Sequence, residues 1–141
     1  MISLFDVNVL IALVDGDHIH HETATQIFQE TILDGWATCP ITENGFLRIL
    51  GHPSYPGGPG SPEEARRLLA AYRAAPGHQF WADDISLTDR SLIDELPPSK
   101  GLTDVYLLAL ATKHGGKLVT FDQRIDVSLV VGGAGACLVL Q

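Results

Sequence analysis

The stretch Ile2-Ser3-Leu4-Phe5-Asp6-Val7-Asn8-Val9-Leu10-Ile11-Ala12-Leu13-Val14 decides the reading of the fold. Ile2 to Phe5 is a short buried strand, too brief for a helix and not alternating as a half-exposed strand would. Asp6 ends it, and Val7 to Val14 continues as an apolar helix. A strand that runs through one acidic residue into a helix opens a βα unit.

Working outward, the same grammar recurs. Ala24, Ile27, Phe28 and Ile32 sit at helical spacing, so a second helix is expected from a cap at Asp17 or His18 to about Leu33, ended by Gly35. Trp36 to Cys39 is a second short strand, and Pro40 leads into a helix from about Thr42 to Leu50. Gly51 to Gly60 holds three prolines and four glycines, which makes it a loop. Ser61-Pro62-Glu63-Glu64 is a capping box with proline in the first turn, starting a helix to about Ala75. Gln79 to Ala82 is a third strand, and Thr88 to Leu96 a further helix stopped by Pro97-Pro98. Thr103 is expected to cap a helix from about Asp104 to His114, ended by Gly115-Gly116. Lys117 to Phe121 is a strand followed at once by Asp122, and Leu138 to Leu140 a last strand. Alternating short strands and helices predict an α/β fold: a three-layer α/β/α sandwich with a short, mainly parallel central sheet, in one domain over residues 1–141.

Composition bounds the function. Hydrophobic residues make up 45% of the 141 residues, enough for one core without disulfides. Cys39 and Cys137 lack CxxC spacing and read as reduced thiols of a cytoplasmic protein, a single disulfide being the alternative. No stretch is apolar enough for a membrane span. The net charge of −8, from nine Lys and Arg against seventeen Asp and Glu, opposes a broad basic face for nucleic acid. Acids that belong to a metal site resolve that objection, because a bound cation reverses the local field.

Four acids stand out by position. In open parallel sheets, ligands bind beyond the carboxyl ends of the strands. Asp6 and Asp122 directly follow strands, and Glu43 and Asp104 fall in first turns of helices, so all four are expected at one edge of one sheet. Each alone is explained as a turn, a cap or a complement to a helix dipole. Together they repel: two carboxylates about 5 Å apart cost roughly 3 kcal/mol at an effective dielectric near 20. Such a cluster must be protonated, spread apart or filled with cations, and carboxylate oxygens favour Mg²⁺ or Mn²⁺ over zinc.

Leu4-Phe5-Asp6-Val7-Asn8-Val9-Leu10-Ile11, Thr42-Glu43-Asn44-Gly45-Phe46-Leu47-Arg48, Leu102-Thr103-Asp104 and Val119-Thr120-Phe121-Asp122 together resemble the PIN domain, over essentially the whole chain and in order. Length and the helix carrying Asn44 to Arg48 are most similar to the VapC toxins of toxin–antitoxin modules. The resemblance implies an endoribonuclease needing Mg²⁺ or Mn²⁺, with Asp6, Glu43, Asp104 and Asp122 as catalytic, metal-holding residues and Asn8 and Thr120 orienting them. It implies hydrolysis to a 3′-hydroxyl and a 5′-phosphate, a homodimer, a VapB-like antitoxin that blocks the site with an arginine, and a heterotetramer or larger assembly with it. Past Asp122 the chain is less family-like, and Asp126 competes as the fourth ligand.

Other candidates carry alternatives. Arg48, Arg66 and Arg67 are possible RNA or antitoxin contacts; the plainer reading of the Arg66, Arg67 and Arg73 row is a solvated face. Asp83 and Asp84 are a turn or auxiliary ligands. Tyr55 is a stacking surface for a base or a subunit contact. His18, His20 and His21 read as a solvated helix start rather than a zinc site. A haloacid-dehalogenase-like phosphatase wants a second Asp where Asn8 stands. A catalytically silent RNA- or partner-binding domain is the remaining alternative, and a receiver-like module lacks its mid-chain phosphoacceptor.

Overall fold

The computed structural model describes all residues 1–141. Its chain order is β1 (Ser3–Phe5), α1 (Val7–Val14), α2 (His21–Thr31), β2 (Trp36–Thr38), α3 (Pro40–Leu50), α4 (Pro62–Arg73), β3 (His78–Phe80), α5 (Leu102–Lys113), β4 (Lys117–Thr120) and β5 (Cys137–Val139). The strands form one sheet in the order β3-β2-β1-β4-β5, every pair parallel. No helix is long and apolar enough to cross a membrane.

Strand periodicity builds the three layers. Leu4, Ala37 and Leu118 point to one face and pack with α5, whose residues Val105 to Ala111 are all buried. Phe5, Trp36 and Val119 point to the other, against Val9, Leu10 and Leu13 of α1 and Phe46 and Leu50 of α3. Trp36 is wholly buried and stacks on Phe5 at 5.7 Å. Both cysteines are free, Cys39 being buried.

Several expected boundaries move, and side-chain competition with the backbone explains most of them. Residues 88–96 are turns, not a helix: Asp89 Oδ1 accepts from the Ser91 amide (2.9 Å) and hydroxyl (2.6 Å), and Ile93 instead bridges to Val130. Neither Asp17 nor His18 caps α2. Asp15 accepts from the Asp17 amide and His18 Nδ1 from the His20 amide, which holds that loop out of helix until His21. Thr103 caps nothing, because a 3₁₀ turn over Ser99–Gly101 runs straight into α5. Cys39 caps α3, with Pro40 in its first turn and the Thr42 hydroxyl 2.9 Å from the Cys39 amide. Ser61 caps α4 through the Glu64 amide (3.2 Å), while the Glu64 carboxylate pairs with Arg67 rather than closing the box.

Gly116 sets how closely β4 starts against β1. A β-carbon there would lie 2.5 Å from the Ile2 carbonyl oxygen and 2.9 Å from the Trp81 ring. That oxygen accepts from the Lys117 amide (2.9 Å), the first rung between the strands. Gly116→Ala is therefore expected to cost about 1–3 kcal/mol in urea unfolding, whereas Gly135→Ala, which meets nothing within 4 Å, should be near neutral.

Candidate active site

The carboxyl edge of the sheet begins at Asp6. Phe5 is in register with Val119, so Asp6 stands beside Thr120 where β1 and β4 end. Asp6 is buried and its two oxygens are divided: Oδ1 accepts from the Val7 amide (2.7 Å) and caps α1, and Oδ2 accepts from the Thr120 hydroxyl (2.7 Å). Thr120 Oγ1 also accepts from the Asp122 amide (3.0 Å) and from Asn8 Nδ2 (3.4 Å). Asn8 Oδ1 in turn accepts from the Phe121 amide (3.2 Å). One hydroxyl thus ties together the ends of two strands and the first turn of α1.

Asp104, from the first turn of α5, meets Asp122 across a cleft of about 470 Å³. Burial, then the Asp122 contact and the charges of Asp6 and Asp122, push the Asp104 carboxyl up to about 8. Asp122 is held below the usual carboxylate range by the same Asp104 contact and by the Arg124 amide, 2.8 Å from its Oδ1. The two carboxyls are thus pushed in opposite directions, Asp104 towards the protonated acid and Asp122 towards the anion. Burial also raises Asp6, against the lowering effect of its hydrogen bonds to Thr120 and Val7. At neutral pH this edge holds a proton that water would not leave on an ordinary carboxylate.

Glu43 lies one strand further along and is engaged differently. Its Oε2 accepts from the Thr38 hydroxyl (2.6 Å) and lies 3.2 Å from the Arg73 guanidinium of α4. Since the Thr38 proton goes to Glu43, His78 Nε2, 2.8 Å from that hydroxyl, must donate to it. Burial and the nearby Arg73 charge lower His78 to about 4, so its ring is neutral. Arg73 also lies over the Phe80 ring at 5.2 Å. The sequence reading places Arg73 only in the row with Arg66 and Arg67, as a solvated face or a phosphate-contacting stripe, and does not single out Thr38 or His78 for the site. The legible signal was that Thr38 ends β2 as Thr120 ends β4, each holding an acid.

The remaining candidates lie as follows. Asp126 lines the cleft, but its Oδ1 accepts from the Ser128 amide (3.1 Å) and hydroxyl (2.5 Å). Asp84 does not join the edge: it faces Lys113 (3.7 Å) and His114 (3.6 Å), at the far end of α5, about 15 Å along the helix axis from Asp104. Asp83 faces the Tyr106 phenol. Arg66 and Arg67 pair with Glu63 (2.7 Å) and Glu64 (3.5 Å). Arg48 lines a separate groove with Ile49, His52 and Tyr55. The Tyr55 hydroxyl donates to Asp15 (2.6 Å), which ties that ring into the structure rather than presenting it to a base.

As the side chains stand, no three acidic, imidazole or thiol groups converge on one point. Ligation of a cation therefore requires carboxylate rotation. The donor set, carboxylate and hydroxyl oxygens alone, fits a hard divalent ion, and so does the charge excess now relieved by a proton.

The family model of the PIN domain matches residues 3–127. The chain belongs to the PIN-domain family. Within it the chain falls in the VapC group: it is 46% identical over 134 residues to Ribonuclease VapC44 of Mycobacterium tuberculosis, covering 94% of each chain. It is 44% identical over 126 residues to Ribonuclease VapC38 of the same organism, covering 87% of this chain and 86% of that one. It is 42% identical over 134 residues to Ribonuclease VapC39, covering 94% and 96%. A crystal structure of VapBC2 from Rickettsia felis, bound to a DNA fragment from their promoter, shares the fold at a TM-score of 0.57 and 12% identity, over 86% of this chain and 89% of that one. The PIN-domain expectation drawn from four short motifs thus holds for the family and for the parallel α/β fold.

Proposed function

We propose that this protein is a divalent-metal-dependent endoribonuclease and the toxin of a VapBC-type toxin–antitoxin module, acting as one domain in the cytoplasm. The observation that carries the reading is the placement of Asp6, Asp104 and Asp122 at the carboxyl edge, Asp6 tied to the Asp122 turn through Thr120 and Asp104 lining one cleft with Asp122, where burial and neighbouring carboxylates raise Asp6 and Asp104. Relatives named as ribonucleases, at up to 46% identity, support it.

Asp6, Asp104 and Asp122 would hold Mg²⁺ or Mn²⁺, with Glu43 joining once it turns from Arg73. A bound ion of this kind lowers the pKa of water and offsets charge on a phosphodiester. The chain's own part is positional. Asp104 would have to release its proton to solvent in order to hold such an ion as a carboxylate. Thr120 fixes Asp6 Oδ2 and, through the Asp122 amide, the turn that carries Asp122. Asn8 braces the same turn at Phe121. Thr38 and Arg73 hold the Glu43 carboxylate in place beside the edge. A VapB-type antitoxin would block the site by placing a guanidinium among these carboxylates, as Arg73 already does for Glu43; a homodimer is the expected assembly of the toxin.

Thr120→Val removes the donor to Asp6 and the acceptor for Asp122 while keeping the shape of the side chain. Cleavage rate and Mg²⁺ affinity are expected to fall about 10–100-fold, with Thr120→Ser restoring most of both. Calorimetric Mg²⁺ titration beside RNA cleavage checks this. An unchanged Mg²⁺ affinity in Thr120→Val would show that the hydroxyl does not set the carboxylates.

The test of function is incubation of the purified protein with total RNA in Mg²⁺, in Mn²⁺ and in EDTA, with cleavage ends mapped. Cuts that need the metal and leave 5′-phosphates are expected. Binding without cuts under all three conditions would favour a silent RNA-binding domain.

A further inference from the structure

An acidic protein of net charge −8 needs somewhere to hold a polyanion. Of its nine Lys and Arg, four are committed to carboxylates: Arg66 to Glu63, Arg67 to Glu64, Arg73 to Glu43 and Lys113 to Asp84. Arg48, Arg90, Lys100, Lys117 and Arg124 form no such pairs. Arg90 donates to the Asp94 carbonyl (3.5 Å), Lys117 opens β4 at the amino edge of the sheet, and Arg48 faces its own groove on α3. The other two, Lys100 and Arg124, line the cleft that holds Asp104 and Asp122.

Their placement is built into the backbone. Lys100 sits in the 3₁₀ turn that feeds α5, four residues before Asp104, behind the stiff Pro97-Pro98 pair. Arg124 is two residues past Asp122, in the turn closed by its own amide on the Asp122 carboxylate. Val105, Ile125 and Leu129 supply an apolar wall, and the volume of about 470 Å³ far exceeds the needs of an ion. Two unpaired cations in the same lining as Asp104, Asp122 and Asp126 suit a chain of phosphates, with a cation at the carboxylates and the side chains of Lys100 and Arg124 as counter-charges for a neighbouring phosphate.

We propose that this cleft is the RNA-strand subsite: Lys100 and Arg124 bind the phosphate next to the scissile one and position the backbone over Asp104 and Asp122. The inference rests on the ribonuclease reading and deepens it. It replaces Arg66 and Arg67 as the principal phosphate contacts, since both already have carboxylate partners on their own helix.

The experiment measures binding of a short fluorescein-labelled oligouridylate by anisotropy across a salt series, with EDTA present so that the strand is bound and not cut. Wild type is compared with Lys100→Ala, Arg124→Ala, the double variant and an Arg66→Ala/Arg67→Ala control. All of these side chains are exposed, and melting curves verify the fold of each variant. The slope of log affinity against log salt is expected to fall by about 0.7 for each cation removed from the cleft, and to stay at the wild-type value in the control. In Mg²⁺, the cleft variants should raise KM more than they lower kcat. Wild-type binding with an unchanged slope in the double variant would overturn the subsite while leaving the ribonuclease reading intact. A loss seen only in the Arg66/Arg67 control would overturn it equally. A wild-type protein that neither binds nor cuts RNA would overturn both readings together.

Discussion

Replacing Asp104 by Asn is expected to abolish metal-dependent RNA cleavage, by on the order of a thousandfold or more, while leaving the metal-free protein at least as stable as wild type. The two effects share one cause. Asp104 is pushed up to about 8 by burial and by the carboxylates of Asp122 and Asp6, so at neutral pH it already carries a proton. An amide has nearly the same shape as that carboxylic acid and, like it, carries no charge beside Asp122. The Asp104→Asn side chain would therefore mimic the protonated ground state permanently, without the ability to become an anion when a cation arrives. No favourable helix-dipole interaction is lost, because the neutral acid supplies none. Cleavage of labelled RNA in Mg²⁺ and melting in EDTA are the paired measurements. Cleavage near the wild-type rate would remove Asp104 from the machinery, and a large fall in melting temperature would show that its role is structural.

The second large effect is a reversal of pH dependence by the metal. A carboxyl raised from about 3.9 in the unfolded chain to about 8 in the fold binds more protons folded than unfolded throughout that window. Its contribution to stability is complete below the unfolded value and is lost as pH rises through about 8. Asp6, also raised, acts in the same direction. Asp122, lowered, adds stability only at pH above its unfolded value and is constant near neutrality. His78 opposes: lowered to about 4, it makes stability rise with pH until about 6.5, where the unfolded imidazole has titrated. The clean window thus runs from about pH 6.5 to about 8, where the metal-free melting temperature should fall. Saturating Mg²⁺ or Mn²⁺ requires the anion and stabilises most at the upper end, by about 2.7 kcal/mol at a hundred times Kd. Scanning fluorimetry at constant ionic strength measures this, and Asp104→Asn should flatten both trends. A metal-free curve that rises across the window, or one that Mg²⁺ does not lift, would refute a protonated Asp104 at a metal-holding edge.

Internal mimicry of the cation is a second theme of the site. Glu43 rests against Arg73, and burial with the neighbouring carboxylates pushes Asp104 towards its protonated form. Both arrangements satisfy carboxylates that burial would otherwise penalise, and both must yield to a divalent ion.

What local sequence determined was the grammar of strand, acid and helix. Ile2 to Phe5 and Lys117 to Thr120 can only be covered strands, and their neighbours Asp6 and Asp122 are carried to the carboxyl edge by chain direction alone, because parallel strands end on the same side. α1 follows from apolar spacing, and α4 from a serine cap with proline in the first turn. Residues 88–96 defeat a reading by periodicity because short polar side chains there bind their own backbone, an option that apolar spacing does not register. Tertiary structure alone decided which distant groups share a field: that Thr120 reaches back to Asp6, that Arg73 takes Glu43 while Arg66 and Arg67 do not, that Asp84 falls at the wrong end of α5, and that Lys100 and Arg124 line one cleft beside Asp104. The reason is physical. Edge and direction are properties of a strand and its neighbours in the chain, whereas Coulomb energy and burial depend on distances between residues as far apart in sequence as Asp6 and Asp122, and those distances exist only once the sheet has closed its register.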